Sequence, residues 1–294
     1  MCALAADKKN NVVRPVVEKD LRLIQKLLDS AWRVHLRVSW ASLQHRILSL
    51  PGVVVEDRAG LRGVMVLEPL KLNSAVMVAA ALRDTWSVEP YLKTILPYVE
   101  QLVQTQLLSS LVFIGYEDWL VEALLKFGFE PREWIVMFER FGSDKPPTVV
   151  ETATIRVAHR RDLAAIQTLD ALAFEDLWRK PTTYFGEALA LAGSFTVAEL
   201  EGQIVGYEWC EIHQKRAHLT RLAIHPDYQG RGIGAQLLHR AIVDALARNI
   251  NLITLNTQET NRRSRALYKR FGFVPVPQRV PVLWKDLDPP LLPQ

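Results

Sequence analysis

Between Leu222 and Ala235 the chain passes from a short apolar stretch through His-Pro-Asp-Tyr into Gln229-Gly230-Arg231-Gly232-Ile233-Gly234, which opens an amphipathic helical pattern. Glycines at 230, 232 and 234 let a ligand approach the backbone and leave amide N–H groups uncovered. A helix that starts there aims its positive end at the same spot. The chemistry implied is the holding of an anion such as a pyrophosphate. Further on, Asn261, Ser264 and Tyr268 stand at i, i+3 and i+7 of a second helical pattern, so they share one face that could line the same ligand.

Three phosphate-binding patterns compete for the glycines. A Walker A loop is excluded, because no Gly-Lys-Ser/Thr follows. The dinucleotide fingerprint is met in spacing by Gly230, Gly232 and Ala235. It also needs the first glycine close behind its strand and an acidic residue about 20 positions on, where this chain has a Pro-containing turn and Ile250–Leu255 instead. The third pattern is Gln/Arg-x-x-Gly-x-Gly/Ala, matched by Gln229-x-x-Gly232-x-Gly234. With Asn261, the run Ala266-Leu267-Tyr268 and the exit Phe271-Gly272-Phe273 behind it, the chain resembles the GNAT acyltransferase superfamily.

That resemblance implies an α/β fold of the α+β kind. Its twisted mixed, largely antiparallel sheet is flanked by helices and splays open between the strand before the loop and the strand at Leu252. It implies acetyl-CoA as acyl donor and an amine acceptor that attacks the thioester directly in a ternary complex. The cofactor-binding set it implies is Leu222, Ala223 and Ile224, whose backbone N–H groups polarise the thioester carbonyl, then Gln229, Gly230, Arg231, Gly232, Ile233, Gly234 and Ala235, and finally Asn256, Asn261, Ser264 and Tyr268. Tyr268 is the implied proton donor to the departing thiolate, set against the plainer reading of an aromatic packed in the core.

An amine acceptor is mostly protonated at neutral pH and has to lose a proton before attack. On the strand Gln203–His213, alternation groups Glu208 with Ile204, Cys210 and Ile212, and Glu211 with Tyr207 and Trp209. A carboxylate among apolar neighbours has a raised pKa suited to a base, so Glu208 and then Glu211 are the candidates, against the commoner outcome of a carboxylate paired with an arginine. His213, His218 and His225 lack ligand spacing and read as solvated; no metal is expected. The acceptor is sought against Phe174–Phe185, with Glu175, Trp178 and Tyr184, and against the stretch Pro275–Pro281. A small-molecule amine, a peptide N-terminus and a lysine side chain all stay open.

The chain also repeats itself. Arg14, Asp20, Leu21, Ile24, Gln25 and Leu27 recur 142 positions on as Arg156, Asp162, Leu163, Ile166, Gln167 and Leu169, and Phe127-Gly-Phe-Glu-Pro131 recurs as Phe271-Gly-Phe-Val-Pro275. Ser143-Asp-Lys-Pro-Pro-Thr148 between them has a linker composition. Two tandem domains of the same family are expected, over 1–145 and 151–294. The first is degenerate: Ser87-Val-Glu-Pro-Tyr-Leu92 stands where the glycine loop should be, and Leu124 or Leu125 where Tyr268 should be. Pro90 lacks an amide donor and Glu89 is negative, so the first half is expected to hold no cofactor.

Composition narrows the remaining classes. At 294 residues, 49% hydrophobic and 23% charged, the chain is long enough for two cores. No apolar run approaches the roughly 20 residues of a membrane span, and the first eleven residues lack a secretory signal's apolar core; a cytoplasmic protein without membrane partners is expected. Two cysteines, Cys2 and Cys210, read as reduced thiols. The net charge of +4 is spread thinly except at Arg262, Arg263, Arg265, Lys269 and Arg270, which read either as a solvated face or as contacts to cofactor phosphates. No interleaved pattern of aromatic stacking residues accompanies the basic ones, so no nucleic-acid partner is expected. A homodimer is permitted. The alternative to an enzyme is a non-catalytic acyl-CoA-binding sensor or interaction protein.

Overall fold

The repeat in the sequence is a repeat of structure. The computed structural model describes residues 11–287 apart from positions 72, 181 and 192; Cys2, the first ten residues and the 288–294 end of the second expected domain lie outside the described residues. The described chain divides into two compact units, one running to Glu133 and taking up the chain again from Val280, the other spanning Trp134–Arg279.

Unit 1 is built from β1 (Val12–Pro15), α1 (Leu21–Ser30), β2 (Arg33–Leu36), α2 (Trp40–Gln44), β3 (Gly52–Asp57), β4 (Gly60–Leu70), β5 (Ser74–Leu82), α3 (Val88–Gln104), β6 (Ser110–Ile114) and α4 (Asp118–Lys126), followed by the start of β7 (Glu130–Phe141). Its sheet runs β1-β3-β4-β5-β6 with β2 also on β5, and Val282–Asp286 pairs with Ile114–Ser110 on the far side of β6. Every pair in it is antiparallel except β5 with β6.

Unit 2 repeats the plan with β8 (Thr154–Val157), α5 (Leu163–Ala173), α6 (Thr182–Leu191), β9 (Ser194–Leu200), β10 (Gln203–His213), β11 (Arg216–Ile224), α7 (Ile233–Ala247), β12 (Leu252–Gln258), α8 (Arg262–Arg270) and the start of β13 (Val274–Asp286). Its order is β8-β9-β10-β11-β12, and Ile135–Phe141 of β7 closes the far side of β12. Among the described residues only β11 and β12 pair in parallel there.

These limits differ from the 1–145 and 151–294 division expected from the repeat. The two long strands β7 and β13 each begin in one unit and end in the other, so each unit takes its last strand from the other half of the sequence. A sequence offset cannot see such an exchange, because the strands keep their order along the chain.

Apolar spacing accounts for the layers. In α7, Ile233, Leu237, Leu238, Ala241, Ile242 and Ala245 are buried on one side of the helix and pack over β9, β10 and β11. Fully burying a leucine or isoleucine is worth about 1.5–3 kcal/mol. β5 is buried along its whole length, whereas β11 alternates buried residues with more accessible ones, because successive side chains point to opposite faces of the sheet and one face is covered more completely.

An ion-pair anchor is repeated too. Arg14 reaches Asp20 at 2.6 Å and Glu56 at 2.7 Å, and Arg156 reaches Asp162 and Glu199 at 2.7 Å each. Hydrogen bonding from the Arg156 guanidinium holds the Asp162 carboxyl below the usual carboxylate range. The Arg–Asp recurrence in the sequence is therefore the joint between first strand and first helix, a requirement of the fold.

Candidate functional site

Strands β11 and β12 are paired only from Arg216–Leu219 to Leu252–Leu255. At Thr220 a bulge adds one residue to β11, since Trp209 of β10 faces Arg221 while Cys210 faces Leu219. Beyond the bulge β11 stays on β10 as far as Ile224, while β12 continues against β7 to Gln258. The edge of Arg221–Ile224 that would face β12 has no strand neighbour among the described residues, which leaves a cleft at the centre of the sheet.

The outer part of the cleft, a cavity of about 310 Å³, is lined by Leu222, Ala223, Ile224, Gln229, Gly230, Gly232, Gly234, Ala235, Asn261 and Ser264 together with Arg263 and Arg270. Gly230 and Gly232 have φ of +86° and +87°, a left-handed conformation that glycine adopts without strain. Gly232 is the N-cap of α7, and a Cβ placed on it would meet nothing within 4 Å. The loop thus turns its backbone towards open space at a helix N-terminus, the arrangement that receives anions. Gln229 donates to the carbonyl of Ile224 at 3.2 Å and accepts from Arg263 at 2.8 Å, which clasps loop, strand and α8 together.

The inner part shares Phe174, Leu222, Asn261 and Ser264 with the outer part and adds Trp178, Thr220, Arg221, Asn256, Gln258 and Tyr268. Asn261 caps α8 by accepting from the Ser264 amide at 3.1 Å. Tyr268 is 6% exposed, its ring against Phe138 and Phe273 at 6.0 Å each. Burial pushes its phenol up to about 12, with a hydrogen bond from Ser264 acting in the other direction. It is therefore protonated at every ordinary pH. Tyr268 packs in the core, as the plainer reading had it, and it also contributes to the lining of the cleft.

Of the catalytic and cofactor-binding residues expected from the sequence, twelve line this cleft and four, Arg231, Ile233, Glu208 and Glu211, do not. Arg231 turns outward, its guanidinium 4.8 Å over the Tyr228 ring and donating to the Asp227 carbonyl. Ile233 points from the first turn of α7 into the core beside Val205 and Leu237. Glu208 is fully buried on the α7 side of the sheet, where its Oε1 accepts from Ser194 at 2.7 Å and Thr196 at 2.9 Å; burial raises its carboxyl to about 7. Glu211 lies 3.3 Å from His213. Among the described residues lining the cleft there is no carboxylate and no histidine.

Smaller expectations shift for identifiable reasons. Ile204 packs with Tyr207 and Trp209, because a bulge between Ile204 and Gly206 breaks the alternation that was to group it with Glu208. His218 is not solvated: its Nδ1 meets the Thr254 hydroxyl at 2.8 Å, and burial lowers its pKa. His225 accepts from the Asp227 amide and caps a short turn. Pro275–Pro281 forms part of β13 and lines neither part of the cleft, and Tyr184 packs on Trp209 instead. Cys210 is a buried free thiol whose pKa burial pushes up.

Sequence reasoning missed Arg221, Asp170 and Tyr207. The Arg221 guanidinium donates to Asp170 from Nε at 2.8 Å and to the Trp178 carbonyl from Nη2 at 2.7 Å, and sits 3.5 Å over the Phe174 ring. The Tyr207 hydroxyl also donates to Asp170. The only signal in the sequence was a charged residue inside an apolar strand.

Unit 1 has the same parting of strands and a different occupant. β5 and β6 pair only over Ser74–Val76 and Ser110–Val112, and Val78 is the extra residue of the matching bulge. The open edge at Ala79–Leu82 is covered by β2, paired antiparallel with it from Leu36 to Arg33. Helix α3 already begins at Val88, so the expected loop position is wound into a helical turn. Tyr91 is fully buried there, its hydroxyl donating to the Val64 carbonyl at 2.7 Å.

Comparison with known proteins agrees with this geometry. Residues 162–273 match the model of the acetyltransferase (GNAT) family. A Bacillus subtilis (strain 168) protein provisionally named ribosomal protein bS18-alanine N-acetyltransferase is 26% identical over 123 residues, 42% of this chain and 82% of that protein. A mycothiol acetyltransferase of Acidimicrobium ferrooxidans is 31% identical over 96 residues, 31% of each chain. The solved structure of a tandem GNAT protein from the clavulanic acid biosynthesis pathway superposes with a TM-score of 0.65 at 12% identity, covering 95% of this chain and 99% of that one. The glycine loop and Tyr268 both lie inside the matched segment, so residues 162–273 carry the similarity to the acetyltransferase (GNAT) family, in a chain that shares the fold of a tandem GNAT protein.

Proposed function

We propose that the chain transfers an acetyl group from acetyl-CoA to an α-amine, with unit 2 as the working half and unit 1 as a half that holds no cofactor. The observation that carries this is the unpaired β11 edge at Leu222–Ile224, which shares one cleft with the loop amides of Gly230–Gly234 and the phenol of Tyr268. The donor set fits a coenzyme A diphosphate: uncovered amides at a helix N-terminus, open space at Gly232, and the guanidinium groups of Arg263 and Arg270. Bound acetyl-CoA would supply an activated acyl carbon and a thiolate leaving group.

The protein's own groups then divide the work. Free N–H groups on the Leu222–Ile224 edge would polarise the acyl carbonyl. Tyr268 would donate a hydrogen bond to the thiolate. A thiol pKa near 8.5 lies well below the roughly 12 of the buried phenol, so the phenol supports the thiolate without fully surrendering its proton. The positions of Glu208 and Glu211 favour neither as a base acting directly on the acceptor.

A cleft lined without carboxylate or imidazole favours an acceptor that arrives already deprotonated. An α-amine, with a pKa of about 8, offers roughly 10²–10³ times more free base near pH 7 than a lysine side chain at about 10.4. The alanine N-terminus in the name of the Bacillus subtilis relative agrees with that class. For unit 1, the support is β2 lying on the edge that would have to receive a cofactor.

The test is calorimetric titration with acetyl-CoA, followed by acetylation of a short peptide with a free N-terminal alanine and of the same peptide blocked there but carrying a lysine. One site per chain and turnover of the first peptide are expected. Binding without turnover of either peptide would favour an acyl-CoA sensor, and absence of binding would defeat the proposal.

A further inference from the structure

Buried polar groups that occur in one unit and not in the other separate the needs of the fold from the needs of the cleft. The Arg–Asp–Glu anchor is present in both units, and so is the bulge at Val78 and Thr220. The network of Asp170, Tyr207 and Arg221 is not. By the register of the strands and the helix, its counterparts in unit 1 are Leu28, Val64 and Ala79, all apolar. The same fold therefore stands without it, consistent with the rule that a buried ion pair adds little to stability over apolar residues. A second polar cluster confined to unit 2, around Glu208, does not line the cleft.

The stretch after the first helix takes different forms in the two units. In unit 1, where the network is missing, it is β2, laid along the β5 edge. In unit 2, where the network is present, it is a short 3-10 turn at Asp176–Trp178. There Arg221 grips the Trp178 carbonyl and covers Phe174, while Asp170 also accepts from the Lys180 amide at 3.3 Å. Phe174 and Trp178 line the cleft instead of filling it.

We infer that Asp170, Arg221 and Tyr207 form a latch that holds residues 174–180 off the β11 edge and so keeps the cleft of unit 2 open. Without the latch the segment settles on Arg221–Ile224 as β2 does on β5. These are positioning residues. Their role rests on the reading of unit 2 as the acetyl-CoA-binding half, yet the latch can be followed without it.

The experiment uses the full chain with Asp170→Leu, Tyr207→Phe and Arg221→Met, which keeps side-chain volume and leaves no buried charge unpaired. Backbone hydrogen exchange is measured at 221–224 without ligand, and acetyl-CoA affinity is measured by calorimetry. The unaltered chain should exchange rapidly at the amides of this edge that face the cleft and become protected when acetyl-CoA is added. The variant should be protected at the same amides with no ligand present, and its acetyl-CoA affinity should fall at least tenfold. Arg221→Lys, which keeps the charge opposite Asp170 and shortens the arm to Trp178, should give a smaller change of the same sign, and it decides the matter if the triple variant does not fold. A folded variant with rapid exchange and unchanged affinity overturns the latch. An unaltered chain that binds no acetyl-CoA overturns the reading beneath it, and the exchange comparison then judges the latch alone.

Discussion

Thr220 and Val78 occupy the same place in the two units. Each is the extra residue of a bulge in the strand leading to the centre of its sheet, and beyond each the parallel neighbour falls away. The bulge makes the opening, and the neighbouring segments decide its use: a glycine loop and an unpaired edge in unit 2, a helical turn and an added strand in unit 1. A cleft is thus inherited by both halves and kept by one.

Unit 2 should therefore provide a single site per chain. Acetyl-CoA should bind with a stoichiometry of one, and Gly232→Val should abolish that binding or weaken it at least tenfold. At φ +87° a β-branched residue sits in a backbone region costing about 1–3 kcal/mol, and its side chain would project into the space a diphosphate needs. With nothing within 4 Å of a Cβ there, the fold itself should survive. Calorimetry together with a thermal melt checks both halves of the statement, and two sites per chain would refute it.

Tyr268→Phe should lower kcat towards the 10² end of the roughly 10²–10⁴-fold range of general acids, with acetyl-CoA affinity within about threefold of the unaltered chain. Because burial holds the phenol near 12, it should cause no loss of activity on the alkaline side up to about pH 10. Steady-state kinetics over pH 6–10 checks this. An unchanged kcat would remove the residue from the chemistry.

Much of this site was legible because its parts are local. The glycine loop, the cap at Asn261 and the i, i+3, i+7 face of α8 all lie within short windows where spacing fixes geometry. The tandem plan was legible from Arg14–Asp20 and Arg156–Asp162, pairs six residues apart that the fold needs twice. The third member of each anchor was not: by strand register Glu56 corresponds to Glu199, 143 positions on, one residue out of step with the 142 of its partners. Asp170 and Arg221 are 51 residues apart and meet only when α5 lies on β11, so no window contains them. The misplacement of Ile204 came from a bulge, which alternation alone cannot anticipate.

Glu208 should make the stability of the chain fall with rising pH around neutrality. Its carboxyl is raised by burial from an ordinary 4.5 to about 7, so between these values the folded state binds more protons than the unfolded one. Stability then falls as pH rises through that window and has lost this contribution above about 7. The full difference is about 3 kcal/mol. Glu208→Gln keeps an oxygen for Ser194 and Thr196 and has nothing to ionise, so its advantage over the unaltered chain should grow from pH 5 to 8. Chemical denaturation at those two pH values checks the sign, and an advantage that shrinks over this range would mean the carboxyl is not held neutral by the fold.

A fragment cut at the proline-rich linker should not fold, and one cut by structure should. Residues 151–294 lack Ile135–Phe141, so β12 would lose its antiparallel neighbour along Leu252–Gln258. The Phe271 carbonyl would lose the donor it has in Arg140 at 3.1 Å. They would also carry Val282–Asp286 without the β6 strand it pairs with, leaving two exposed strand edges. Residues 134–279 keep every strand of unit 2 and the whole cleft. Expressed alone, this second fragment should give a cooperative melt and bind acetyl-CoA, while the first should aggregate. A well-folded 151–294 would mean that β7 is dispensable to the sheet it completes.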